Sequence, residues 1–103
     1  MIKEFVVEAV NLDRLRWQRH ALERMMERDI FRNEVKQVLL EGELIEKYPD
    51  DQPFSSGLFL GYINNKPLHV VAGADRENNW CYIVTAYRPD LQHFEPDFKT
   101  RKR

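Results

Sequence analysis

The hydrophobic patterning predicts an α+β fold, with N-terminal helices packed on a three- to four-stranded antiparallel sheet. Three observations carry this. Apolar residues recur about every fourth position until Leu40, the period shortens to two after Gly42, and turn-forming residues then divide the chain into short apolar runs. Helices followed by a meander of strands is the order of an α+β domain.

Ile2, Phe5, Val6, Ala9 and Val10 have the spacing of one helical face, with Asn11 and Asp13 placed to end that helix or cap the next. A second helix is predicted from Trp17 to near Asp29. It would turn Ala21, Leu22, Met25, Met26 and Ile30 to a core, while His20, Arg24 and Arg28 recur at every fourth position on another side. A third helix is predicted over Glu34 to Leu40, with Asn33 as its cap, Val35, Val38 and Leu39 on its apolar face and Gly42 at its C-terminal end. Met26 and Ile30 are expected to press against Val35 and Leu39.

Leu44 to Tyr48 alternates as a first strand, and Pro49-Asp50-Asp51-Gln52-Pro53 breaks it. Leu58 to Ile63 and Leu68 to Ala74 are the next strands. Asn64-Asn65 between them suits a tight hairpin, because asparagine tolerates positive φ. A polar turn over Asp75 to Asn79 leads into a last strand, Trp80 to Tyr87, which Arg88-Pro89-Asp90 stops. Apolar runs such as Leu68-His69-Val70-Val71-Ala72 predict middle strands buried on both faces near their centres. Phe94 and Phe98 offer packing anchors in the tail.

The 103 residues make one domain, 1–103, of a size that buries a core without staples. Hydrophobic residues are 43% and charged residues 32%, unlike a disordered chain. With a net charge of -1, affinity for nucleic acid would need local clusters of cations. Clusters exist from Arg14 to Arg32 and from Lys99 to Arg103, whereas acids gather between Glu41 and Asp51. One cysteine, Cys81, excludes an internal disulfide. No signal peptide or membrane span is expected, so a cytoplasmic location is the default.

Glycine-rich phosphate loops, nucleophile elbows, zincin helices and C-x-x-C pairs are all missing from the sequence. Neither a cofactor nor a metal is expected, since the histidines and the cysteine are widely spaced. The helical stripe His20, Arg24, Arg28 is the principal candidate site. Histidine exchanges protons near neutral pH and arginine clamps phosphate oxygens. Together they suit RNA cleavage by attack of the 2′-hydroxyl, chemistry that needs no metal. The competing account is a solvated face, with Glu23 and Glu27 pairing those arginines. His69, polar within an apolar run, and Tyr87, at a strand end, are the strand residues that would complete such a site.

The motifs His20-Ala21-Leu22-Glu23-Arg24-Met25-Met26-Glu27-Arg28, Gly42-Glu43-Leu44-Ile45-Glu46-x-Tyr48-Pro49-Asp50-Asp51, Leu58-x-Leu60-Gly61, Lys66-Pro67-Leu68-His69-Val70-Val71 and Thr85-x-Tyr87-x-Pro89-Asp90 stand in one order. In this the chain resembles domain of unknown function family 4258, from about Arg19 to Arg103. It departs at Ser55, Gly57, Phe31 and Arg88, where the family commonly has proline, cysteine, a serine or threonine cap, and glutamate. Loss of that cysteine argues against a thiol mechanism. The family looks related to RelE-like and BrnT-like toxins, which cut messenger RNA, commonly on the ribosome, with a small helix-plus-sheet fold. That resemblance transfers no catalytic residue.

The expected function is a toxin-antitoxin-type, metal-independent endoribonuclease. Catalytic residues would be His20 or His69 as acid or base, Arg24 and Arg28 on the phosphate, and Tyr87 near the substrate. Expected partners are RNA or the ribosome, an antitoxin protein and a second copy of the chain, with no membrane. The alternative is a non-catalytic interaction module or a small-ligand-binding domain.

Overall fold

A computed structural model describes residues 2–103. Helix α1 spans Ile2–Asn11, strand β1 Leu15–Trp17, helices α2 and α3 Arg19–Glu27 and Arg32–Glu41. Four strands follow: β2 Glu43–Tyr48, β3 Ser56–Ile63, β4 Lys66–Asp75 and β5 Trp80–Tyr87. The sheet runs β1-β5-β4-β3-β2. Neighbours from β2 to β5 are antiparallel, as expected, but β1 lies parallel to β5, with Leu15 opposite Cys81 and Trp17 opposite Ile83. The sheet is therefore mixed and five-stranded, not antiparallel with three to four strands.

The added strand also corrects the second helix, which begins at Arg19 and leaves Trp17 in β1. Three residues are too few to display a period. What makes them a strand is pairing with β5, a partner at the far end of the chain.

Helices α1 and α2 end alike. Asp13 and Asp29 each take a left-handed conformation, φ 56° and 55°. Arg14 N–H donates to Ala9 O at 2.7 Å, and Ile30 N–H donates to Met25 O at 2.9 Å. Each aspartate thus fills the position glycine usually takes in this kind of helix stop. The cap of α3 is Phe31 rather than Asn33. The Glu34 carboxylate reaches back to accept from Phe31 N–H at 2.9 Å, which satisfies the amide of the cap residue, while Asn33 lies inside the helix. Gly42 ends α3, and at φ -81° it needs no left-handed freedom. Its role is close approach, since a Cβ there would lie 2.4 Å from Val38 O and 2.5 Å from Leu60 O.

The helices cover one face of the sheet. Val6, Ala9, Ala21, Met25, Ile30, Val35, Val38 and Leu39 pack there against Phe59, Val70, Ala72, Cys81, Ile83 and Ala86. Met26 is an exception to the predicted stripe, at 80% exposed. One residue along a helix turns about 100°, so a helix that meets the sheet along Ala21 and Met25 carries Met26 away from it. Burial also pushes the Cys81 thiol up to about 12, leaving it protonated and inert.

Side chains one register position away point to the opposite face, which has its own small core. Leu58, Leu60 and His69 are buried there with Phe94, on the segment after β5. Burial at the centres of β3 and β4 is thus two-sided, as their apolar runs predict. The β3–β4 hairpin turns through Asn64 and Asn65 at φ 51° and 65°, also as expected. No described helix is long and apolar enough to cross a membrane.

Candidate functional site

Residues from Pro89 onward fold back over the second sheet face and are held by three anchors. Phe94 meets the His69 ring edge-on, with centroids 4.7 Å apart. Arg101 makes a two-pronged contact with Glu46, at 2.9 and 3.0 Å, and its guanidinium also lies 5.0 Å over the Phe94 ring. This contact holds the Glu46 carboxyl below its usual range. Tyr48 donates its hydroxyl proton to the same carboxylate.

The third anchor is His69. Its Nε2 lies 2.8 Å from Phe98 O and its Nδ1 lies 3.1 Å from the Tyr87 hydroxyl. A carbonyl can only accept, so Nε2 carries the proton and Nδ1 receives the Tyr87 O–H. Burial lowers the His69 pKa and keeps the ring neutral, and it raises that of Tyr87, so both groups hold these roles at pH 7. His69 is fully buried with both nitrogens engaged, so its ring stands behind Tyr87 rather than on the open surface.

Because the folded-state pKa lies below the unfolded value, the unfolded chain binds the extra proton. Stability is full above the unfolded value near 6.5 and falls as pH drops below it. Thermal melts from pH 8 to 5 are expected to show this loss, and a His69→Gln variant is expected to flatten it. Parallel curves for the two proteins would show that His69 does not set the slope.

At the end of β5, Tyr87 opens on a groove of about 610 Å³ that Arg28, Arg88, Asp90, His93 and Arg101 also line. Each polar group is held. Arg28 Nη1 donates to Ala86 O at 2.9 Å, while Arg88 donates to the carbonyls of Arg28 and, at 3.1 Å, Asp29. These bonds to carbonyls leave both guanidinium charges uncompensated, since neither arginine pairs with a carboxylate among the described residues. His93 Nδ1 lies 2.8 Å from Asp90 Oδ1. The His93 side chain and two backbone amides hold the Asp90 carboxyl below its usual range, so it is an ionised acceptor. His93 Nδ1–H therefore donates, which makes Nε2 the acceptor nitrogen of the neutral tautomer.

Three of the five expected site residues meet here. Arg28 and Tyr87 line the groove and His69 supports Tyr87 from behind. His20 and Arg24 do not join them. They lie exposed on α2, which packs against the opposite face of the sheet, and Arg24 pairs with Glu27 at 3.2 Å. The helical stripe is split because α2 ends at Glu27, so that Arg28 already belongs to the turn that reaches the end of β5.

Arg88, His93 and Arg101 are the groove residues that spacing along one helix does not reveal. The signal for His93 was the local pattern Asp90-x-x-His93, in which an aspartate accepts from the turn and from the ring three residues on. Among the described residues, no three His, Cys, Asp or Glu side chains converge as metal ligands do.

The sequence profile of a family described as a domain of unknown function, DUF4258, matches residues 17–88, well over half of the chain. The chain belongs to the DUF4258 family. The match runs from Trp17 in β1 to Arg88, so it takes in Arg28, His69, Tyr87 and Arg88 but stops short of Asp90, His93 and Arg101. No curated protein and no solved structure gives a match to this chain.

Proposed function

We propose that this DUF4258 protein is a metal-independent endoribonuclease of the toxin-antitoxin kind, acting through the groove at the end of β5. The observation that carries the reading is the meeting, in one groove, of two unpaired guanidiniums with a histidine oriented by a carboxylate and a tyrosine oriented by a buried histidine. Arginine binds phosphate oxygens through a planar fork and stabilises charge that develops on them.

In this reading Arg28 and Arg88 hold the scissile phosphate. His93 Nε2 takes the proton of the ribose 2′-hydroxyl, whose oxygen bonds to phosphorus while the bond from phosphorus to the 5′-oxygen breaks. Water protonates the departing oxygen, and the products carry a 2′,3′-cyclic phosphate and a 5′-hydroxyl. Tyr87, its own proton committed to His69, offers lone pairs to the sugar and a ring face to a base. Helices on one face of an antiparallel meander also support a RelE-like or BrnT-like relationship, as an analogy of fold. An antitoxin protein would act by covering the groove.

The test is incubation of the purified protein with end-labelled RNA in the presence of a chelator, alongside induced expression in a bacterial host. Cleavage to cyclic-phosphate ends and growth arrest are expected for wild type, His20→Ala and Arg24→Ala. Arg88→Ala is expected to lose at least tenfold in rate. Intact RNA and unimpaired growth with the wild type would overturn the reading. Loss of activity in His20→Ala would move the site to α2.

A non-catalytic interaction module is the second reading, favoured by the exposed apolar side chains of Met26 and Phe31 near the α2–α3 corner. It predicts a bound protein partner and no RNA cleavage.

A further inference from the structure

The groove at Tyr87 does not end at its arginines. Arg28 and Arg88 also line a second groove of about 430 Å³, whose other walls include Asp29, Asn64, Lys66 and Pro67. The two guanidiniums therefore stand at a junction, with His93 and Arg101 to one side and Lys66 to the other. Arg88 bonds to the carbonyls of Arg28 and Asp29 and ties the turn after α2 to the end of β5, so the junction is one braced unit.

The second groove differs in chemistry from the first. Lys66 supplies a cation with no carboxylate partner among the described residues, at the start of β4 and next to the Asn64-Asn65 turn. The Glu34 carboxylate there is engaged by Phe31 N–H. Asp29, fixed at the helix stop, and Asn64 offer oxygen acceptors, and Pro67 offers an apolar wall. A cation for a phosphate, acceptors for amino groups and an apolar wall are the features that hold one nucleotide. A lone anion would need only the first.

We propose that the second groove is a nucleotide subsite: an RNA strand lays one phosphate across Arg28 and Arg88 and carries its neighbouring nucleotide toward Lys66. This rests on the reading of the first groove as an RNA site and adds the direction in which the strand leaves it. The site accordingly selects for chain length, because a dinucleotide has one phosphate and fills only the junction. Lys66 is a specificity-determining residue rather than a catalytic one.

The experiment measures binding of 2′-fluoro oligoadenylates of two, three, four and six nucleotides, which cannot be cleaved, by wild type and Lys66→Glu. Wild type is expected to gain at least tenfold in affinity from two to four nucleotides. Its salt dependence should steepen by about 0.7 in log-log slope for the one added phosphate that Lys66 neutralises. Lys66→Glu is expected to remove that gain. Lys66 is exposed, so the variant should fold, as an unchanged melting curve would show. Equal affinity for all lengths, or an equal loss at every length in Lys66→Glu, overturns the subsite and leaves the first groove standing. Failure of every oligonucleotide to bind overturns both.

Discussion

On the proposed endoribonuclease reading, replacement of His93 by alanine is expected to lower the rate of RNA cleavage by about 10²–10⁴-fold, the usual contribution of a positioned general base. Affinity for an uncleavable RNA should change little, because in that reading Arg28 and Arg88 would still hold the phosphate. This split separates proton transfer from binding. His93 is exposed, and its ring contacts Asp90 through a single hydrogen bond, so the variant should melt as the wild type does. Asp90→Asn is the complementary change. It keeps the shape but lets the ring adopt the other tautomer, and the rate should fall less than in His93→Ala. The double variant should be no slower than His93→Ala, because residues that act as a unit are not additive. A His93→Ala variant with at least half the wild-type rate would remove His93 from the proposed mechanism.

The largest effect on stability is expected for Phe59→Ala. Phe59 is fully buried at the centre of β3, on the helical face, with Leu44 and Val70 opposite it on the two neighbouring strands. Removal of its ring leaves a cavity beneath the helices and costs roughly 3–5 kcal/mol. A domain of this kind has a total of about 5–15 kcal/mol, so the variant loses a substantial fraction of its stability. Each kcal/mol corresponds to roughly 4–8 °C in Tm at this size. Met26→Ala is the control, since that side chain is exposed and its loss should fall within about 0.5 kcal/mol. Denaturant melts of the two variants measure both. A Phe59→Ala loss below about 1 kcal/mol would show that the helices are not held by this face of the sheet.

Residues whose partners are near in the chain were legible without coordinates. The three-helix order, the Asn64-Asn65 hairpin and the last strand, Trp80–Tyr87, match in type and place. Each was marked by a local cause: a four-residue period, two asparagines able to take positive φ, or a run of aromatic and β-branched residues. His69 and Tyr87 were legible too, as a polar residue in an apolar run and a tyrosine at a strand end. They are register partners on adjacent strands, so one face of the sheet brought them together.

The remainder depended on contacts between distant residues. Leu15–Trp17 is a strand only because β5 offers it an edge, and no period within three residues could announce that. Met26 resembled a core residue because a helical wheel shows which side is apolar but not how broad the contact will be. His20, Arg24 and Arg28 looked like one surface because equal spacing implies one helix face. The helix stops at Glu27, however, and only Arg28 turns toward the groove.

By itself, then, the sequence determined the three helices and the four antiparallel strands, most of the core and the α+β class, since periodicity and turn chemistry act over a few residues. The tertiary structure decided the parallel edge strand, the folding back of the tail over the second face, and the groove that unites Arg28 and Arg88 with His93 and Arg101. The reason is physical. Burial and backbone pairing act at short range in space, and a chain of 103 residues brings its two ends within that range only when it has folded.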